Sequence, residues 1–223
     1  MAQLIEELQV ARVRDNLAQV RERVALAARR SGRCADAVEI LAAVKYLSTA
    51  ALPALARAGV TVVGENRAQA LEEKAVDHPG LFEWDFIGQL QSRRLRQILP
   101  HVQRIHSVAS ESALSALERH CHLARPGLSI FIEVNVAREA GKGGIAAGDL
   151  QRYLERTSVP VMGLMTMPPA AARPEDSRRW FAALRDLAAA HELGELSMGT
   201  TQDYAVAVEE GATVVRIGSA LYA

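Results

Sequence analysis

The stretch Ile40-Leu41-Ala42-Ala43-Val44-Lys45 is a short apolar run that ends in a charged residue. Such a run is typical of a strand that is buried on both faces of a parallel sheet. Similar runs recur to the end of the chain, and each is followed by a longer stretch with helical periodicity. The predicted strands lie at 38–44, 60–63, 83–87, 104–108, 128–134, 160–165, 194–198 and 212–217.

Eight strand-helix units predict a closed (β/α)8 TIM barrel of the α/β class. Right-handed crossovers close eight such units most naturally into a barrel. The 223 residues also lie within the roughly 200 to 400 residues of that architecture. No linker interrupts the series, because the proline-rich segment 168–174 falls between the sixth strand and its helix. We therefore expect one domain over residues 1–223.

An additional helix is predicted before the first strand, within residues 4–30. Its apolar positions follow a three-then-four spacing that gives one stripe, and Ser31-Gly32 ends it. We expect residues 1–32 to pack on the barrel of the same chain, and the protein to be a monomer. The stripe consists of Leu17, Val20, Val24 and Ala27.

Composition and charge exclude several classes of partner. The chain has 26 basic and 26 acidic side chains, so it has no net positive field to hold nucleic acid or an anionic membrane. Its two cysteines, Cys34 and Cys121, are too few for a disulfide framework and lack metal-ligand spacing. No secretion signal or apolar stretch of ~20 residues is present. We expect a cytoplasmic protein without nucleic-acid or membrane partners.

Polar and small residues follow the predicted strands at the end where barrel chemistry occurs. Lys45 ends the first strand, and Asn66 follows the second. Thr200-Thr201 follows the seventh strand and Gly218-Ser219 follows the eighth. Barrels commonly hold a phosphate in these two loops through backbone N–H groups and hydroxyls. The pattern indicates an amine and a phosphate-binding turn at one mouth.

Lys45 and Arg216 each allow a functional and a structural interpretation. Burial at a strand end disfavours the charged form of a lysine, and a neutral amine could condense with a substrate carbonyl or with pyridoxal phosphate. The alternative is a lysine that reaches solvent. Arg216 lies on a strand suited to burial and needs a partner. That partner is either an acid, Glu133 or Asp85, or a ring nitrogen that stays unprotonated because arginine keeps its proton.

Six motifs follow one another from the first predicted strand to the last. They are Ala43-Val44-Lys45-Tyr46-Leu47-Ser48, Val63-Gly64-Glu65-Asn66-Arg67-Ala68-Gln69, Phe86-Ile87-Gly88-Gln89-Leu90-Gln91, Gly163-Leu164-Met165-Thr166-Met167, Leu196-Ser197-Met198-Gly199 and Gly211-Ala212-Thr213-Val214-Val215-Arg216-Ile217-Gly218. In this order they resemble the pyridoxal phosphate homeostasis proteins, the YggS/PROSC family. The resemblance implies an alanine-racemase-like barrel of fold type III that holds pyridoxal 5′-phosphate (PLP) as a Schiff base on Lys45. It also implies buffering or delivery of the cofactor to PLP-dependent apo-enzymes in vitamin B6 homeostasis, without established turnover.

The resemblance also assigns the other cofactor-binding residues. Arg216 matches the residue that faces the pyridine nitrogen, Gly218 and Ser219 match the phosphate turn, and Asn66 lies in a Gly-Glu-Asn motif near the cofactor. Two more are Ser197, at the end of the seventh strand, and Thr201 in the loop after it. Thr201 replaces a serine that would touch the phosphate in the family. Asp85 also departs from the family, which often has histidine there. The chain further ends at Leu221-Tyr222-Ala223 without the usual Phe-Gly-containing tail.

Two enzyme classes remain alternatives. One is a PLP-dependent racemase or decarboxylase of fold type III, and the other is a lyase that uses Lys45 directly on a sugar or keto acid. Racemases and decarboxylases of this type add a carboxyl-terminal β domain, which a chain of this length does not supply. We therefore favour the carrier.

Three other clusters are expected to be structural. His120-Cys121-His122 offers no common direction for a metal ion, the arginines 93, 94, 96 and 104 are expected on a solvated helix face, and the lysine in Gly141-Lys142-Gly143-Gly144 is expected in solvent.

Overall fold

Eight parallel strands form a closed barrel in which each strand pairs with its neighbours in chain order and β8 pairs with β1. The computed structural model describes residues 4–222. All eight predicted strands are confirmed, with ends that differ by at most two residues. They are β1 Glu39–Ala43, β2 Val62–Glu65, β3 Glu83–Phe86, β4 Arg104–Val108, β5 Ser129–Glu133, β6 Val161–Met165, β7 Glu195–Thr200 and β8 Val214–Ile217.

Helices surround the barrel and complete the TIM-barrel architecture. They bury apolar faces against the outer side of the strands, which forms the main core. Among the described residues, no helix is long and apolar enough to cross a membrane. The helices are α1 Val10–Arg30, α2 Leu52–Arg57, α3 Ala68–Asp77, α4 Leu95–Ile98, α5 Glu111–His120, α6 Leu150–Arg156, α7 Arg178–Ala190, α8 Tyr204–Glu209 and α9 Ser219–Tyr222.

The N-terminal helix α1 packs on α8 and α9 through the predicted stripe. It begins at Val10, not at residue 4, because the preceding residues are extended. The Ile5 amide donates a hydrogen bond to the Tyr46 carbonyl at 2.8 Å, and the Ser48 amide donates to the Ile5 carbonyl at 2.9 Å. This bridge satisfies backbone groups on both segments and holds residues 4–9 beside the loop that contains Lys45. Residues 1–3, part of the predicted N-terminal region, lie outside the described residues.

The barrel interior contains both apolar and polar layers. Alternate residues on each strand point inwards. The apolar interior cluster consists of Leu41, Val62, Phe131, Met165 and Val214. On the same inward faces lie four of the buried polar side chains, namely Asp85, His106, Ser197 and Arg216.

Candidate functional site

Lys45 lies in the turn directly after β1, at the carboxyl end of the barrel. The side chain is only partly buried, and its Nζ lies 4.8 Å from the centre of the exposed Tyr46 ring. This is a cation–π contact at the rim, so the amine is accessible to a ligand that enters the mouth.

A buried ion pair supports the backbone directly before this turn. Lys74 on α3 places Nζ 2.6 Å from Glu65 Oε2 and 2.9 Å from the Val44 carbonyl oxygen. Both side chains are almost completely buried. Val44 directly precedes Lys45, so the pair anchors the backbone from which the Lys45 side chain extends. The sequence contained a signal for it, since Lys74 follows the buried residues Ala68 and Leu71 at helical spacing.

Asn66 follows β2 and presents an unsatisfied oxygen. Its backbone amide donates to Glu65 Oε1 at 2.8 Å, and the Arg67 amide donates to the same oxygen at 3.2 Å. Its own Oδ1 is buried and has no partner within residues 4–222. Gly88 lets the next loop approach, because a Cβ there would lie 2.0 Å from the Asn66 carbonyl oxygen. A buried acceptor without a donor is costly unless a ligand supplies one.

Arg216 is a buried cation whose hydrogen-bond acceptors are all uncharged. Its Nη1 donates to Ser197 Oγ at 2.6 Å, and its Nη2 lies 3.0 Å from both the Thr166 carbonyl oxygen and Met167 Sδ. Within residues 4–222 it forms no ion pair, so the pairing with Glu133 or Asp85 that the sequence left open is not found. Three acceptors for five N–H groups leave donors for a ligand.

The charge of Arg216 is maintained despite this burial. Burial lowers the pKa of Arg216 to about 10, while Glu133 and Asp203 oppose the effect from a distance. A pKa of this value keeps the guanidinium protonated at neutral pH. Burial also raises the pKa of the Glu133 carboxyl, against the attraction of Arg216.

A chain of buried polar side chains continues from Arg216 through the barrel interior. Ser197 Oγ lies 2.7 Å from His106 Nδ1, and His106 Nε2 lies 3.0 Å from Asp85 Oδ2. Asp85 also accepts a hydrogen bond from Arg104 Nε at 2.8 Å, and Arg104 contacts Glu39 at the opposite end of the barrel. The prediction that Arg104 belongs to a solvated helix face is therefore wrong, because it lies on β4 and pairs with two acids.

The loops after β7 and β8 meet at the mouth. The Gly218 amide donates to Thr201 Oγ1 at 3.2 Å, which brings two of the predicted phosphate-binding residues together. Asp203 Oδ1 accepts hydrogen bonds from the Thr200 amide and hydroxyl, at 2.8 and 3.2 Å, so Thr200 is engaged within its own loop. Ser219 is exposed beside Gly218. A Cβ on Gly218 would make only ordinary contacts with the protein, at 3.7 Å or more.

The loop with Lys142 differs from expectation. Its Nζ donates to the Pro168 carbonyl oxygen at 3.0 Å and lies 2.9 Å from Glu139 Oε2, so it joins the loops after β5 and β6 instead of extending into solvent. The reason is that the left-handed backbone of Gly141 and Gly144 folds the loop back towards the barrel.

Of the two remaining clusters, the first does not converge on the site, whereas Arg93 and Arg94 of the second line one cavity together with Asn66. His120 and Cys121 bond to carbonyl groups of the preceding helical turn, and no group of side chains within residues 4–222 could hold a metal ion. Arg93, Arg94 and Arg96 lie exposed around α4.

Comparison with known proteins agrees with this geometry. A family model described as the alanine racemase N-terminal domain matches residues 9–223. The chain is 35% identical to the pyridoxal phosphate homeostasis protein of Aquifex aeolicus, over 93% of this chain and 96% of that protein. It superposes on PipY of Synechococcus elongatus with PLP bound at a TM-score of 0.79 and 29% identity, covering 95% of this chain and all of the other. Alanine racemase of Corynebacterium glutamicum shares the fold at a TM-score of 0.67 and 14% identity, with 100% of this chain matching 63% of that enzyme.

Proposed function

This chain belongs to the pyridoxal phosphate homeostasis protein family, and on that basis we propose that it binds PLP as a Schiff base on Lys45 and buffers or delivers the cofactor. The proposal includes the cofactor-binding residues Lys45, Asn66, Ser197, Thr201, Arg216, Gly218 and Ser219.

The observation that carries the proposal is the buried, carboxylate-free guanidinium of Arg216. It lies on β8, between Lys45 at the end of β1 and Thr201 after β7, and these three strands are neighbours in the barrel. PLP is an elongated molecule with an aldehyde, a ring nitrogen and a phosphate. An amine, a hydrogen-bond donor and a pair of loops that carry the hydroxyls of Thr201 and Ser219 therefore match its three polar parts. The unpartnered Asn66 Oδ1 offers a further contact.

The residues also suit holding the cofactor more than driving its chemistry. When bound, PLP supplies an electron sink whose strength depends on protonation of its ring nitrogen. A guanidinium with a pKa of about 10 donates a hydrogen bond to that nitrogen and keeps its own proton. Ser197 belongs to the same site, because its hydroxyl oxygen accepts a hydrogen bond from Arg216 Nη1.

The second candidate is a racemase or decarboxylase, favoured by the fold that this barrel shares with alanine racemase. The lyase hypothesis uses the same amine but assigns no role to the remaining N–H donors of Arg216. Amino acids offered to the PLP-loaded protein distinguish carrier from enzyme. Turnover near the ~10 s⁻¹ of ordinary enzymes would favour the enzyme.

Borohydride reduction followed by intact mass and peptide mapping tests the binding mode. We expect a pyridoxyl label on Lys45 in the unchanged protein and none at that position in Lys45→Ala. Lys45→Arg is the matched control, because it keeps a cation over Tyr46 but cannot form a Schiff base. A label at another position with Lys45 unmodified would contradict the proposal.

The partners and location complete the proposal. We propose that PLP-dependent apo-enzymes receive the cofactor from a cytoplasmic monomer that binds neither nucleic acid nor membranes. The balanced charge and the packing of α1 on its own barrel support this. Size-exclusion chromatography with light scattering would test the monomer.

A further inference from the structure

In the hydrogen-bonded series of side chains from Arg216 to Asp85, the chemistry of each group determines which atom donates. Arginine can only donate, so Ser197 Oγ must accept from Arg216 Nη1. The hydroxyl proton of Ser197 is then available to His106 Nδ1, 2.7 Å away. The Asp85 carboxylate can only accept, so His106 Nε2 carries the proton that is donated to Oδ2 at 3.0 Å, and in an uncharged ring Nδ1 is then the acceptor.

This arrangement requires an uncharged His106. The ring is completely buried and lies 4.6 Å, centre to centre, from Phe131. Burial lowers the pKa of His106, which outweighs the stabilising effect of Asp85 on the charged form. The carboxylate of Asp85 is itself held by Arg104, at 2.6 and 2.8 Å. The salt bridge at the far end of the barrel therefore fixes the imidazole, and the imidazole fixes the serine hydroxyl.

We propose that His106 is a positioning residue for the cofactor site and that it acts through Ser197 on Arg216. By taking the hydroxyl proton of Ser197, it turns the oxygen lone pairs towards Nη1 and fixes one edge of the guanidinium. The other edge is held by the Thr166 carbonyl oxygen and Met167 Sδ. With both edges held, the remaining N–H groups have one direction, which reduces the entropy lost when a ring nitrogen binds.

The inference rests on the proposed function, because it concerns the hydrogen bond from Arg216 to PLP. Two variants test it. His106→Phe keeps an aromatic ring against Phe131 but removes both hydrogen bonds of the imidazole. Ser197→Ala makes a smaller change, which removes the hydrogen bonds of the hydroxyl to Arg216 and to His106 and leaves the bond from His106 to Asp85. If His106→Phe fails to fold, Ser197→Ala still tests the path, because an unchanged band and affinity would refute it.

The measurements are PLP titration, the absorption band of bound PLP and borohydride labelling of Lys45. We expect both variants to be labelled at Lys45, to show a shifted band and to bind PLP roughly tenfold more weakly, as for one weakened charge-assisted hydrogen bond. The double variant should lose no more PLP affinity than either single variant, because both residues act on Arg216 through the same hydrogen bonds. Val62→Ala is the control. It removes volume from the apolar interior cluster without touching the hydrogen-bonded chain, and it should lower the melting temperature but leave band and affinity unchanged.

The outcomes separate the two claims. Labelled variants with the band and affinity of the unchanged protein would overturn the role of His106 while leaving the proposed function intact. A double variant whose loss of PLP affinity equals the sum of the two single losses would also overturn this role, since His106 and Ser197 would then act independently. If the unchanged protein carries no label on Lys45, the proposed function fails and the inference fails with it.

Discussion

Replacing Lys74 tests whether the buried ion pair beneath Lys45 supports the fold. Its amine lies 2.6 Å from Glu65 Oε2, and the two side chains are 4% and 0% exposed, so solvent screens the pair very little. Lys74→Met retains most of the side-chain volume but leaves Glu65 as a buried carboxylate without its countercharge. Removing one partner of a buried ion pair lowers the free energy of unfolding by about 3–5 kcal/mol.

A loss of this size is measurable without abolishing the fold. Domains have a free energy of unfolding of about 5–15 kcal/mol, so a domain in most of that range stays folded after such a loss. At roughly 2–4 °C per kcal/mol for a domain of this size, the melting temperature should fall by about 6–20 °C. Urea unfolding followed by tryptophan fluorescence gives the free energy, and an unchanged m value shows that only stability has altered. Because Val44 directly precedes Lys45, less borohydride-trapped adduct is also expected at limiting PLP.

Arg30→Met is the matched control for this variant. Arg30 pairs with Glu209 at 3.2 Å, but its side chain is 64% exposed, so loss of this pair should cost less than about 1 kcal/mol. The double variant Lys74→Met/Glu65→Leu removes the stranded charge but leaves the Val44 carbonyl and the amides after Glu65 without side-chain partners, so it should regain only part of the loss. If Lys74→Met loses no more than Arg30→Met, the reasoning is refuted.

Three further predictions concern the site. Arg216→Gln should shift the absorption band of bound PLP and weaken its binding; an unchanged band and affinity would mean that Arg216 does not contact the ring. Gly88→Ala should destabilise the protein and displace Asn66, because its Cβ would lie 2.0 Å from the Asn66 carbonyl oxygen, whereas Gly148→Ala has open space and should be neutral in the same thermal melts. Because burial lowers the pKa of His106, the unfolded chain binds a proton that the folded chain refuses as the pH falls below about 6.5, so stability is lost in that direction. A ring that stayed unprotonated in the folded chain throughout would lower the free energy of unfolding by about 1 kcal/mol between pH 7 and 5.5. Urea unfolding of His106→Phe should lack that part of the pH dependence; an equal dependence in the variant would mean that His106 is not its source.

The strands could be predicted because parallel strands that are buried on both faces read as continuous apolar runs. The second strand is the exception. The second strand was predicted two residues early, at 60–63, because Gly64 and Glu65 look like loop residues, yet both belong to β2 and are buried. Glu65 can lie there only because Lys74 reaches it from α3. The apolar run of the strand does not reveal this partner, which is indicated only by the helical spacing of Lys74 after Ala68 and Leu71.

The hydrogen-bonded side chains inside the barrel are paired by closure of the barrel, which local sequence does not reveal. Alternation along β4 places Arg104 and His106 on one face, and a polar residue inside an apolar barrel must find a partner, so the existence of a network could be inferred from sequence. Its members could not be paired, because Ser197 and His106 lie on β7 and β4 and meet only across the closed interior. Strand register determines which arginine pairs with Asp85. Asp85 stands directly beside Arg104 in the pairing of β3 with β4, so the arginine at the far end of the barrel takes this acid. Arg216 is left to uncharged acceptors, and strand register is therefore the reason that a buried cation remains available to a ligand at the mouth.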